Sequence, residues 1–417
     1  MSYSPLVPLL DSAAVIALIV LNVGFTSSLF PRLACLPIIS ALTWHCVTVC
    51  PLSIPRSAWQ ALVGGFTAAS VLHYLDVAII SHWEFDLQGP RRDLTTGHTW
   101  SSSPPKQKVD RPSKTRSGGQ ILSRLTFGTR VLCSWRFIGT PYEPRGVPLL
   151  KKKQPEAKSV FLRRMALAIV ICYLVLDLMD ASADEALTDR FYKPNQAAFF
   201  SRLHEVTFEE VGMRFFAALG LGAGLISVQR GLYSIIAFVC VTIGLHSPSD
   251  WPPFNGPFSA IYSLRNFWSV FWHQINTHKL VTISNFLLFE VLHFPKTAVL
   301  SRYLRVWTVF FLSALLHVAV DASSGINPRD SGAISFFTIQ PLGILIEDLF
   351  QKIVAKLLGQ SKNRESSAIE RCVGVLWVGL WMAWTGPAYL YPVLKVNGPE
   401  GGGVVPVSVI GYFKGFS

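Results

Sequence analysis

Apolar residues gather along this chain in windows of about 20, the length that crosses the hydrocarbon core of a bilayer. Such windows run over residues 12–30, 33–52, 58–81, 161–182, 211–229, 231–247, 303–321, 332–357 and 370–393, with a further hydrophobic stretch at 280–293. The pattern predicts an all-α, polytopic integral membrane protein with eight or nine transmembrane helices. Three organisational blocks are expected: an N-terminal three-span block (1–83), a loop (84–160) and a second membrane block (161–417).

Composition agrees with lipid as the solvent for much of the chain. Half of the 417 residues are hydrophobic and only 15% are charged, and the mean hydropathy is +0.39, outside the usual range of a soluble domain. The first apolar window lacks a basic leader and carries Asp11 near its start, which predicts a retained anchor rather than a cleaved signal.

Charge adds an orientation. The net +12 is concentrated between residues 84 and 160, in Arg91, Arg92, Lys106, Lys108, Arg111, Lys114, Arg116 and Lys151–Lys153. By the positive-inside rule this loop is cytoplasmic. The basic residues sit among Ser, Pro and Gly between spans, so a nucleic-acid partner is not indicated, and the middle of the loop is expected to be disordered or loosely ordered. Acidic residues dominate after the fourth span (Asp180, Asp184, Glu185, Asp189, Glu205, Glu209, Glu210), which suits the opposite face. The seven cysteines are scattered through apolar segments with no CxxC or zinc spacing and read as small buried hydrophobes.

Polar groups inside the spans carry more information, because an ionisable side chain at membrane depth is costly and faces protein or a cavity. His73 and Asp76 are three apart, as are Glu290 and His293, so each pair shares a helix face and is expected to be a structural hydrogen bond. Glu347 and Asp348 interrupt GILIEDLF, and His317 lies deep in FFLSALLHVAV, where a lone imidazole needs a partner or a task.

The densest constellation is RNFWSVFWHQ, residues 265–274, preceded by WPPFNGP, residues 251–257. Three prolines and a glycine forbid a continuous helix there, and irregular backbone beside a membrane must line a protein cavity or lie at the interface. From Ser263 the sequence is expected to be helical, with Asn266 and His273, seven apart, on one face and Arg265, Trp268 and Trp272 on the neighbouring stripe. An interfacial amphipathic helix accounts for the arginine and the indoles. It does not account for Asn266 aligned with His273 and followed by Gln274. A metal site is not indicated, since His273 and His278 are five apart and no HExxH occurs.

The run WPPFNGPFSAIYSLRNFWSVFWHQ resembles the signature of the wax-synthase-type branch of the membrane-bound O-acyltransferases, in which S-L-R-[DN]-F-W is followed by W-H. FFLSALLH (310–317) is similar to the family's buried histidine in a hydrophobic helix, and FFTIQPLGILIED (336–348) to its following span. The resemblance is close over the C-terminal half and rests on hydropathy elsewhere. Among its members, chains of this length are similar to fungal enzymes that acetylate hydroxyl groups of terpenoid, meroterpenoid or polyketide metabolites. It implies a membrane-bound fold, acyl-CoA, most simply acetyl-CoA, as co-substrate with no bound cofactor or metal, a lipophilic alcohol as acceptor and residence in the endoplasmic reticulum.

The resemblance also implies site residues. His317 takes the general-base role, removing the alcohol proton, as an imidazole titrating near 6.5 can. Asn266 and His273 position or polarise the donor, while Arg265, Trp268, Trp272 and Gln274 form the wall that meets the coenzyme, with Arg302 and Arg305 as further phosphate partners or as headgroup-seeking side chains. Many relatives carry Asp where this chain has Asn266. No Ser or Cys stands convincingly beside a base, so direct transfer is expected rather than an acyl-enzyme. Asp321, four residues after His317, offers itself as a holder of the imidazole tautomer. Two alternatives stay open: long-chain wax-ester synthesis, and a small-molecule transporter, for which no matched broken repeats are found.

Overall fold

The computed structural model describes residues 4–94, 98–99, 117–144, 146–147, 156–357, 367–398, 401–413 and 415. Helices dominate: α1 (Leu6–Phe25), α2 (Leu29–Ser53), α3 (Ser57–Tyr74, continued as a π-turn over Leu75–Ile80), α4 (Ser117–Cys133), α5 (Lys158–Ala181), α6 (Glu185–Phe191), α7 (Phe208–Thr242), α8 (Leu264–Asn266, continued as a π-turn over Phe267–Phe271), α9 (Thr277–Asn285), α10 (Val299–Ser323), α11 (Ala333–Leu357), α12 (Ala368–Thr385), α13 (Pro387–Val396) and α14 (Val409–Phe413). Among the described residues seven helices are long and apolar enough to cross a membrane, and eight if the pair α12–α13, bent by 61° at Gly386–Pro387, is one broken span.

Two of the expected windows, 211–229 and 231–247, form one 35-residue helix, α7. Arg230 interrupts the hydropathy without interrupting the backbone, since no proline lies between Phe208 and Thr242 and the Thr207 side chain caps the start by accepting from Glu210 N. The loop expected at 84–160 also carries structure. Residues 83–84 pair with 89–90, and 92–93 with 98–99, as short antiparallel ladders. Further on, α4 buries Phe127, Val131 and Leu132 against Val15, Ile19, Val20 and Val23 of α1. Gly128 lets the two helices cross closely, because a Cβ there would come within 2.3 Å of the Val20 carbonyl oxygen. The basic residues 106–116 and 151–153 lie outside the described residues.

The chain divides into two compact units. One comprises Met1–Ile54, Gln60–Pro144 and Ile275–Ser324, and the other Pro55–Trp59, Arg145–Gln274 and Gly325–Ser417. In the first, α1 packs on α2 and α4, and α10 packs on α2 and α9. In the second, α5 and α7 form the largest helix pair, flanked by α12 and α13.

The second unit also fastens an irregular C-terminal segment. Asp180 Oδ2 accepts from Val404 N at 2.7 Å and Val405 N at 2.9 Å, and Asp177 Oδ2 accepts from Val409 N and Ile410 N, each at 3.0 Å. From the other side, Arg56 donates to the Val405 carbonyl at 2.7 Å and Trp59 Nε1 to the Val404 carbonyl at 2.9 Å. Gly403 adopts φ +67°, and a Cβ there would meet the Asp180 carboxylate at 2.8 Å, so the turn requires glycine.

Candidate active-site residues

The residues singled out by the sequence fall in both units. His317 belongs to the first, on the regular helix α10, with a half-exposed side chain. Its Nδ1 donates to the Ser313 carbonyl, one turn earlier, at 2.7 Å. Because a carbonyl only accepts, that bond places a proton on Nδ1, so that when the ring is neutral Nε2 carries the lone pair. The tautomer-holding role that spacing offered to Asp321 is thus filled by a backbone carbonyl.

In the second unit, the segment 263–274 is not the continuous α-helix that the wheel argument assumed. The Ser263 side chain caps it, accepting from Asn266 N at 3.1 Å, and only Leu264–Asn266 is α-helical before the π-turn begins. Trp272 N reaches back five residues to the Phe267 carbonyl at 2.7 Å, and Trp272 itself is extended, with ψ 154°. His273 therefore lies beyond the helical face that carries Asn266. The cause is the preceding loop: Gly256 N donates to the Phe271 carbonyl at 3.0 Å, and a Cβ on Gly256 would fall 2.2 Å from the Val270 carbonyl oxygen. WPPFNGP thus takes a carbonyl that the next helical turn would have used.

Several predicted donor-side residues turn out to hold this segment together. Gln274, only 2% exposed, donates from Nε2 to the Trp272 carbonyl at 2.8 Å and, more weakly, to that of Trp268 at 3.4 Å. Arg265, expected on a stripe with Trp268 and Trp272, is engaged by a carboxylate. It pairs with Asp348 through Nη2–Oδ2 at 2.5 Å and Nε–Oδ1 at 3.2 Å. Glu347 Oε2 accepts from Leu264 N at 2.6 Å and closes the helix start. Trp268 Nε1 donates to Gln340 Oε1 at 3.3 Å, and Trp272 packs edge-on against Trp268 at 5.9 Å. Asn266 differs: its side chain is partly exposed and makes no hydrogen bond among the described residues. His273 packs between Trp272 at 5.4 Å and Phe254 at 6.0 Å.

Two polar centres have partners that the sequence did not indicate. Gln340, fully buried on α11, accepts from both Trp268 Nε1 and Trp381 Nε1 (3.1 Å) while its amide nitrogen donates to the Phe336 carbonyl at 3.0 Å. A lone glutamine in an apolar span gave no signal of two indole donors distant in sequence. The other centre lies in the first unit. His73 and Asp76 do not bond each other: His73 Nε2 donates to the Val131 carbonyl at 3.0 Å, while Asp76 accepts from His278 Nδ1 at 2.6 Å and Ser81 Oγ at 2.7 Å. Beside them Lys279, fully buried, donates to Asn276 Oδ1 at 3.1 Å and sits 3.3 Å from the centre of the Trp135 ring. Burial in α9, which is too short to span, pulls its ammonium well below the usual lysine range. Glu290 pairs with Lys296 at 3.7 Å rather than with His293.

Comparison with known proteins places the chain. The model of the membrane bound O-acyl transferase family matches residues 251–339, a span that runs from WPPFNGP through His317. The chain is 32% identical over 396 residues to the acetyltransferase aurG of Calcarisporium arbuscula, covering 93% of each chain. It is 29% identical to the acetyltransferase fsoF of Humicola fuscoatra, covering 81% of this chain and 83% of that one. Against the acetyltransferase pyr8 of Aspergillus fumigatus it is 33% identical, covering 70% and 69%. No solved structure matches. With near full-length relatives, a family-model match across the polar constellation and a polytopic helical architecture, this acyltransferase belongs to the membrane bound O-acyl transferase family.

Proposed function

We propose that the enzyme is an O-acetyltransferase that moves the acetyl group of acetyl-CoA to a hydroxyl of a lipophilic small molecule, of terpenoid, meroterpenoid or polyketide type, in secondary metabolism at the endoplasmic reticulum membrane. The observation that carries this reading is the His317 imidazole, whose Nδ1 donates to the Ser313 carbonyl, which in the neutral ring puts the lone pair on Nε2. The relatives named above, each called an acetyltransferase, support the short acyl chain.

In the proposed reaction His317 Nε2 takes the proton of the acceptor hydroxyl as its oxygen attacks the thioester carbonyl. The C–O bond forms and the carbonyl π pair moves onto oxygen. Asn266, with its amide uncommitted, is assigned as the donor to that oxyanion, and His273 as a positioning residue on the donor side. Collapse restores the carbonyl, breaks the C–S bond and returns the proton from the imidazolium to the departing thiolate. No step uses a covalent acyl-enzyme.

The test offers the purified protein acetyl-CoA and a long-chain acyl-CoA in parallel with a panel of lipophilic alcohols, read by mass spectrometry. Acetyl esters from the first and little from the second are expected. A preference for the long chain would establish wax-ester synthesis instead. Solute movement without ester formation would mark a transporter.

A further inference from the structure

Within the second unit, α5 and α7 run antiparallel in tight contact. Their register is set by Lys158 Nζ donating to the Thr242 carbonyl at 3.1 Å at one end, and further along by Gly231, where a Cβ would lie 3.4 Å from Cys172 Cβ. Arg230 therefore lies level with the middle of the span Lys158–Ala181, about 18 Å along α7 from Thr242 at the rise of an α-helix. A guanidinium at that depth faces a protein cavity or reaches for the surface.

A cavity is present. A space of about 100 Å³ is bounded by Arg164, Arg230, Tyr233 and Ser234 from the two helices and by the WPPFNGP loop, including Trp251 and Asn255. The loop reaches this level because the Tyr233 hydroxyl donates to the Pro252 carbonyl at 2.6 Å. Of the two cations, Arg164 is neutralised by Glu156 at 2.7 Å. Arg230 is an exposed side chain at the rim of this space, with no hydrogen bond or ion pair among the described residues. Trp251 Nε1 and both polar atoms of the Asn255 amide are buried with no partner there either. A cation thus stands at the rim, and an indole N–H and an amide group lie buried behind the lining without partners.

We infer that this cavity holds the carboxylate of a lipophilic molecule. A carboxylate is acceptor-only, matches the guanidinium fork and can take the indole and amide hydrogens with its remaining lone pairs. The volume admits the end of a molecule and not a whole polycyclic skeleton, so the rest of the ligand extends beyond it. Taking that molecule as the acyl acceptor, a hydroxylated lipophilic acid, rests on the acyl-transfer reading.

Full-length protein in nonionic detergent, without coenzyme, is offered a hydroxylated steroid carboxylate and the methyl ester of the same compound, with binding followed by equilibrium dialysis. The native protein is expected to bind the acid at least about tenfold more tightly than the ester. Arg230→Gln is expected to abolish that preference, Arg230→Lys to keep part of it, and Trp251→Phe to weaken the acid a few-fold. Equal binding of acid and ester by the native protein, or an undiminished preference in Arg230→Gln, overturns the inference. Acetyl transfer to the acid then separates the two readings: a raised KM with unchanged kcat in Arg230→Gln supports the acceptor assignment. Arg230-dependent binding with no transfer to any alcohol overturns the acceptor assignment and the acyl-transfer reading together while the carboxylate site stands.

Discussion

Helix α10 and the segment 263–274 both bear polar residues in greasy surroundings, and they solve the problem in opposite ways. In α10 the backbone satisfies itself, and the His317 imidazole is held by one carbonyl of its own helix, Ser313, through Nδ1. The π-turned segment has broken its own ladder, and its polar side chains are largely spent on repairs: Ser263 and Glu347 at its start, Gln274 on two carbonyls, Arg265 on Asp348. Crowding of polar residues therefore marks irregular backbone as much as chemistry. Asn266 is the exception in that segment, its side chain making no hydrogen bond among the described residues.

This contrast can be broken most directly at His317. His317→Gln, which keeps bulk and polarity, should lower acyl transfer by about 10²–10⁴-fold with little change in thermal stability. Retained turnover would remove the distinction between the two regions. The next largest effect falls on the repaired region: Gln340→Leu strips the acceptor from the buried Trp381 indole and the partly buried Trp268 indole and should destabilise the fold by about 2–3 kcal/mol, seen as a lower midpoint in a detergent melt rather than as a specific loss of turnover.

Lys279 sharpens the comparison, being a buried cation outside both regions. Its folded pKa lies below the unfolded value near 10.4, so between the two the unfolded chain binds the extra proton and native stability rises with pH. Lys279→Met should therefore stabilise the protein by about 1–2 kcal/mol near neutrality, and melts repeated up to pH 10 should show the gain shrinking. A constant gain would mean that the amine does not titrate in this way. The smallest effect belongs to Arg265 and Asp348, whose side chains are 41% and 18% exposed. A double-mutant cycle on stability should return about 0.5–1 kcal/mol of coupling.

The spans were readable from hydropathy because lipid forces each crossing segment to be apolar and helical. Continuity was harder to see: Arg230 split α7 into two windows, although it is an exposed side chain and leaves the backbone intact. Helix α4 was missed because its glycines and serines read as loop while its apolar face is completed only by α1. At the site, His317 stood out as an isolated imidazole in an aliphatic run. The separation of Asn266 from His273 did not, because the π-turn depends on Gly256, which lies outside the helix it distorts. His278 as the partner of Asp76, and Gln340 as the acceptor for Trp268 and Trp381, arise from tertiary contacts across 202, 72 and 41 residues that no local period encodes.

The C-terminal segment held by Asp177, Asp180, Arg56 and Trp59 has an experimental corollary. Its grip is on main-chain atoms, to which most side-chain replacements are invisible. Substitution scans at the exposed Val407 and Val409 should look nearly silent apart from proline, while substitutions at the remote acids and at Arg56 register strongly. Anyone trimming this tail because those positions tolerate exchange would leave two carboxylates without their donors.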